Sequence, residues 1–140
     1  MLQTSLATSL PEVESRVRPR LLLLDDEDAI RVPVSRYFRN MGWSVVAAQE
    51  PEEAEALLEH RRFDLVILDL WVTRFGTEGL EVLRSLRKRD PWTPVIVMSA
   101  HVTEEVEAEA RSCGADAVLR KPLPLPDVAQ VAIALRDARA

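Results

Sequence analysis

The sequence predicts one α/β domain, a five-stranded parallel sheet doubly wound with five helices. Three observations lead to this reading. Five short apolar runs stand along the chain, Leu21 to Leu24, Val45 to Ala48, Leu65 to Leu68, Val95 to Met98 and Ala117 to Leu119. They are near-continuous rather than alternating, as strands buried on both faces are. Charged segments of helical period separate them, the order expected of a parallel sheet covered by crossover helices. With 140 residues, 47% hydrophobic and 29% charged, the chain has the size and composition of a single globular core.

Residues 1–19 mix Ser, Thr, Pro and charges without a clear period and are read as a flexible leader. The domain proper is expected over residues 20–140. After the first strand a helix is expected over roughly residues 28–40, with Gly42 where a left-handed residue closes a helix. Pro33 falls past the first turn of that helix and predicts either a kink or a later start. Pro51 stands at the first helical position, which favours proline, before a helix over about 52–60. The third and fourth helices are expected over about 80–89 and 104–112, with Gly114 closing the fourth. The fifth, over about 127–136, repeats Val128, Val131, Ala132 and Leu135 at i, i+3, i+4, i+7, one apolar stripe for the sheet. No internal repeat or low-complexity tract interrupts this alternation.

Charge and composition exclude several function classes. A net charge of −5 argues against a nucleic-acid surface, which needs a clustered excess of Lys and Arg. Cys113 is the only cysteine, so an intramolecular disulfide and a cysteine-based metal site are ruled out by count. No apolar run approaches a membrane span, and the first residues lack a basic segment of the secretory kind. A cytoplasmic protein is expected.

In an open parallel sheet, ligands gather outside the carboxyl ends of the strands. There the first run ends in Asp25 and Asp26, the third in Asp69 and the fourth in Ser99, and the fifth is followed by Lys121 and Pro122. Carboxylates crowded together repel by about 4 kcal/mol per pair at ~4 Å and an effective dielectric near 20. Lys121 alone cannot offset three of them, so a hard divalent ion with oxygen ligands, such as Mg²⁺, suits the cluster. One carboxylate can then attack phosphorus, Ser99 can donate to a phosphoryl oxygen, and Lys121 can act as a point charge on another. Singly, each residue has a plainer reading. Asp25 and Asp26 would be an N-cap with a first-turn acid, helped by Glu27 and Asp28 near the positive end of the helix, Asp69 and Ser99 turn formers, and Lys121 an exposed lysine. Their joint placement favours a site.

The segments LLLLDDEDAI, DLVILDL, PVIVMSA and GADAVLRKP, in this order and spacing, resemble the four motif segments of response-regulator receiver domains of two-component systems, over residues 20 to about 138. The resemblance implies a CheY-like, flavodoxin-like fold with strand order 2-1-3-4-5. It implies that Asp69 is the phosphoacceptor, charged by a phosphohistidine of a sensor histidine kinase or phosphotransfer protein. It further implies that Asp25, Asp26, Asp69 and the backbone carbonyl of Trp71 hold Mg²⁺ (or Mn²⁺). Ser99 corresponds to the switch hydroxyl and Lys121 to the lysine of the Lys-Pro motif, whose peptide bond is usually cis. Such a receiver switches the binding of a downstream protein or effector domain and, apart from its own phosphorylation and dephosphorylation, is not an enzyme.

The sequence also departs from the family. The loop from Leu70 to Gly79 is longer than usual and lacks the common Met-Pro. Trp71 is expected to lie over the rim of the site and restrict water, with His101 on the same rim. Val118 stands where many receivers have Tyr or Phe, so the resemblance does not carry over the aromatic swing that reports phosphorylation. Two other functions compete. Asp69-Leu70-Trp71-Val72-Thr73 resembles the Asp-x-Asp-x-Thr motif of haloacid-dehalogenase-type phosphohydrolases, but Trp71 replaces the general acid. A phosphorylation-independent interaction module would keep the fold without the chemistry. Elsewhere, Glu104, Glu105, Glu107 and Glu109 read as a solvated helix face, Trp43 and Trp92 as packing residues, His60 as a helix-end residue and Cys113 as a small buried hydrophobe.

Overall fold

A computed structural model describes residues 18–70 and 78–139. Most of the leader, and the loop residues from Trp71 to Thr77, lie outside this range. The described elements alternate from β1 (Arg20–Leu24), α1 (Asp28–Asn40), β2 (Ser44–Ala48) and α2 (Pro51–His60) to β3 (Leu65–Asp69) and α3 (Glu78–Arg89). They continue with β4 (Val95–Ser99), α4 (Glu104–Ser112), β5 (Ala117–Arg120) and α5 (Leu125–Arg139). The strands form one parallel sheet in the order β2-β1-β3-β4-β5, as predicted. Each element lies within about a helical turn of its expected bounds.

Local chemistry accounts for these bounds. Gly42 and Gly114 follow α1 and α4 at φ +97° and +111°, the left-handed conformation that closes a helix without a Cβ clash. Pro51 occupies the first turn of α2, where its missing N–H costs nothing. Thr103 caps α4 by accepting from the Val106 N–H at 3.1 Å. α1 begins at Asp28 and continues through Pro33, so its start is not delayed. The buried Val34 and Phe38 just beyond the proline hold that helix to the sheet, which offsets the lost hydrogen bond.

The side-chain period of two sorts the strands into two cores. Leu22, Leu24, Val66, Leu68, Val95 and Val97 face α2, α3 and α4, meeting Ala54, Leu83 and Ala110. Leu21, Leu23, Leu65, Ile67, Ile96 and Met98 face α1 and α5, meeting Phe38, Val128 and Ala132. The central strands are sealed on both sides, so truncating Ile67 or Leu68 to Ala is expected to cost about 2–5 kcal/mol. Trp43 packs edge-on against Phe38 at 5.5 Å and beneath the Arg136 guanidinium at 5.4 Å, as a packing residue should.

Trp92 is 74% exposed, which corrects the reading of it as a packing residue. The Asp90 carboxylate accepts from the Trp92 and Thr93 N–H groups and from the Thr93 hydroxyl. That turn buries Thr93 and leaves the indole outside. Burial alone would raise the Asp90 pKa, but the Thr93 hydroxyl, the two N–H donors and the nearby Arg87 charge outweigh it and hold the carboxyl below its ordinary value. Arg87 is the knot beneath this turn. It donates to the Gly114, Asp90 and Thr93 carbonyls and pairs with Asp116 at 3.0 Å, while Asp116 also accepts from the Val95 N–H. Among the described residues no helix is long and apolar enough to cross a membrane.

Candidate functional site

Strand β1 is flanked by β2 on one side and β3 on the other, so the chain leaves β1 in one direction and β3 in the other. This topological switch opens a crevice at the carboxyl ends of β1 and β3. Asp25 stands just past the end of β1, and its N–H continues the ladder to the Ala48 carbonyl at 3.1 Å. Asp69 is the last residue of β3 and Ser99 the last of β4. Lys121 follows β5, and its N–H reaches the Ser99 carbonyl at 2.9 Å. The Lys121-Pro122 peptide is cis.

The tertiary fold brings four of the sequence-predicted residues together in a buried cluster. Asp25, Asp69, Ser99 and Lys121 are 2%, 3%, 0% and 8% exposed, a degree of burial that charged groups reach only when paired. The Lys121 ammonium donates to Asp25 Oδ2 at 2.7 Å and lies 3.3 Å from Asp69 Oδ2 and 3.9 Å from Glu27 Oε1. Burial by itself would depress the lysine, but the hydrogen bond to Asp25 and the Asp69 charge dominate, so its pKa lies above 10.5. It is therefore an ammonium throughout the physiological range.

Asp25 and Asp26 are not a helix cap. Glu27 is the N-cap of α1 and makes no side-chain cap bond, while Asp25 Oδ1 accepts from the Glu27 N–H at 3.0 Å. The Asp25 backbone is fixed in turn by Arg31, whose guanidinium donates to its carbonyl at 3.1 Å. Ser99 Oγ accepts from the His101 N–H at 3.1 Å. The cap of α4 is Thr103, which leaves the Ser99 side chain to the site. Trp71 lies outside the described residues, and so does the expected shielding of the site by its indole.

Carboxylate oxygens of Asp25, Asp26, Glu27 and Asp69 all lie within 4.8 Å of one another. One ammonium against four carboxylates leaves a negative excess, and the donors are hard oxygens only, so the set fits a hard divalent cation. Sequence reasoning took Glu27 only as an acid at the positive end of a helix; its adjacency to the acidic pair was the available signal. Gly79 was a second omission. A Cβ built on it would lie 2.4 Å from the Asp69 carbonyl oxygen and 2.8 Å from Leu70 Cα, so the start of α3 touches the backbone that carries Asp69.

Comparison with known proteins agrees with this geometry. The profile of the response regulator receiver domain matches residues 21–133. The alginate biosynthesis transcriptional regulatory protein AlgB of Pseudomonas aeruginosa is 38% identical over 124 residues, covering 88% of this chain but only 27% of AlgB. A putative NtrX-like response regulator of Rickettsia typhi is 33% identical over 102 residues, covering 73% of the chain and 22% of that protein. The chain thus spans about a quarter of the length of these relatives. Among solved structures, a CheY-like receiver domain protein of Methanospirillum hungatei superposes with a TM-score of 0.82 at 25% identity, over 87% of this chain and 96% of that one. With its strand order, its acidic crevice and these matches, the chain belongs to the response-regulator receiver domains of two-component signalling.

Proposed function

We propose that Asp69 is the phosphoacceptor and that residues 20–140 form the receiver domain, preceded by a leader over residues 1–19. The observation that supports this best is the Lys121 ammonium shared between two buried carboxylates, Asp25 at 2.7 Å and Asp69 at 3.3 Å, at the switch point of the sheet. The donor is a phosphohistidine of a sensor histidine kinase or phosphotransfer protein. An Asp69 carboxylate oxygen forms the O–P bond as the N–P bond breaks, and the leaving imidazole nitrogen keeps the bonding pair and takes up a proton. Lys121 places its charge on a phosphoryl oxygen, and the Ser99 hydroxyl donates to another. Asp25, Asp26, Asp69 and the carbonyl of Trp71 would hold Mg²⁺ or Mn²⁺, which supplies countercharge to the phosphoryl oxygens. Water later cleaves the acyl phosphate, so the only turnover is the domain's own dephosphorylation. The output is altered binding of a downstream protein or effector domain.

Intact-mass measurement after incubation with Mg²⁺ and acetyl phosphate tests the assignment. Wild type should gain one phosphoryl group and Asp69→Asn none, with an unchanged circular-dichroism spectrum. A phosphoryl group that persists in Asp69→Asn moves the acceptor to another residue.

A further inference from the structure

At the opposite end of the sheet from the acidic crevice, the amino ends of the strands border an open groove of about 1260 Å³. Arg20, Arg136, Glu59, Asp64 and Asp90 also border it, which leaves an excess of basic groups, and Arg18, Arg61, Arg62 and Arg89 line it together with Phe63 and Trp92. None of these four arginines forms an ion pair among the described residues. Trp92 is the most exposed large hydrophobic residue described, at 74%. In a chain of net charge −5, a basic groove beside an exposed indole is an unusual surface, suited to an acidic segment that also carries apolar side chains.

The chain holds such a segment next to the groove. Over its last eight residues before Arg18, the leader shows a pattern that its full length hides. Leu10, Val13 and Val17 recur at i, i+3, i+7, and Glu12 and Glu14 outnumber the one basic residue among them, Arg16. Val17 is bonded to Arg18, which itself lines the groove, so no intervening linker has to be spanned. Such a tether sets an effective concentration in the millimolar range, enough for a contact too weak to form between separate molecules.

We propose that this groove is the docking site of the chain's own residues 10–17, with Glu12 and Glu14 against Arg61, Arg62 and Arg89 and the apolar stripe against Phe63 and Trp92. A shape of this kind, an amphipathic segment laid in a groove, needs only a few anchors. The occupant covers the indole and offsets the basic charge in one contact.

Acrylamide quenching of Trp92 tests this, the Trp92 signal being the difference between wild type and Trp92→Phe. Docking predicts that Trp92 quenches about twofold less in the full chain than in a chain cut before Arg18. The double substitution Glu12→Arg with Glu14→Arg should raise quenching to the level of the cut chain, and adding Arg61→Glu with Arg62→Glu should restore protection. Equal quenching in full and cut chains overturns the proposal. So does protection that survives Glu12→Arg with Glu14→Arg, and so does protection that grows with protein concentration, which would assign the groove to a second copy.

Discussion

Gly79→Ala separates the positioning of Asp69 from the stability of the domain. The added Cβ would meet the Asp69 carbonyl oxygen at 2.4 Å, Leu70 Cα at 2.8 Å and the Asp69 carbonyl carbon at 3.2 Å. All three are backbone atoms, so no side chain can swing aside. Ordinary contact begins near 3.4 Å, and the two backbones must part by roughly 1 Å at the oxygen. The helix cannot simply retreat, because Leu80, Val82 and Leu83 of α3 are buried against the sheet. Overpacking of this kind costs about 1–3 kcal/mol, which for a domain of this size lowers the melting temperature by about 5–15 °C. A displacement near 1 Å at the reacting group can slow the chemistry by about 10²-fold. The assay is the rate of acetyl phosphate uptake by intact mass, measured well below the melting temperature of the variant. Gly114→Ala is the control. It forces an L residue into φ +111° and meets the Arg87 side chain at 2.7 Å, yet it lies at the other end of the sheet, so it should lower the melting temperature without slowing uptake. If Gly79→Ala melts lower but takes up phosphate at the wild-type rate, the contact with Asp69 is only structural. If it changes neither, the close approach itself is wrong.

Lys121→Met removes the cation that holds Asp25 and Asp69, so with one positive charge fewer beside the carboxylates Mg²⁺ affinity by titration should rise about tenfold while phosphorylation falls. Arg87→Ala removes the donor to the Gly114 and Thr93 carbonyls and the cation beside the Asp116 carboxylate, and urea unfolding should show a loss of about 3–5 kcal/mol; Arg87→Lys, without the fork, should recover little of it. The Asp90 carboxyl has a folded pKa below its unfolded value of 3.8, so its contribution is complete above that value and is lost as pH falls through the folded pKa. Thr93→Val should reduce that acid-side dependence, read as melting temperature against pH, and an unchanged slope would remove the Thr93 hydroxyl from the cause.

The five apolar runs, the closing glycines at 42 and 114 and the first-turn proline at 51 were legible because each is a local rule. A strand or helix declares its buried face through the spacing of its own side chains, and a helix end through the residue that satisfies its own backbone. The strand-end acids, Ser99 and Lys121 were legible as a set because a parallel sheet carries all its carboxyl ends to one edge. Which of them touch was a different matter. That Lys121 bonds Asp25 more closely than Asp69 depends on how β5 and β1 are spaced across two intervening strands, which no spacing along the chain encodes. Trp92 reads as a packing residue by its chemistry, yet the Asp90 turn leaves it exposed. Arg87 reads as one more charge at a helix end, and only the docking of α3 beside the turn after α4 makes it a clamp. Gly79 carries no side chain from which a role could be read; the tertiary structure decides that role by bringing the backbone at the end of β3 to within a methyl group of it.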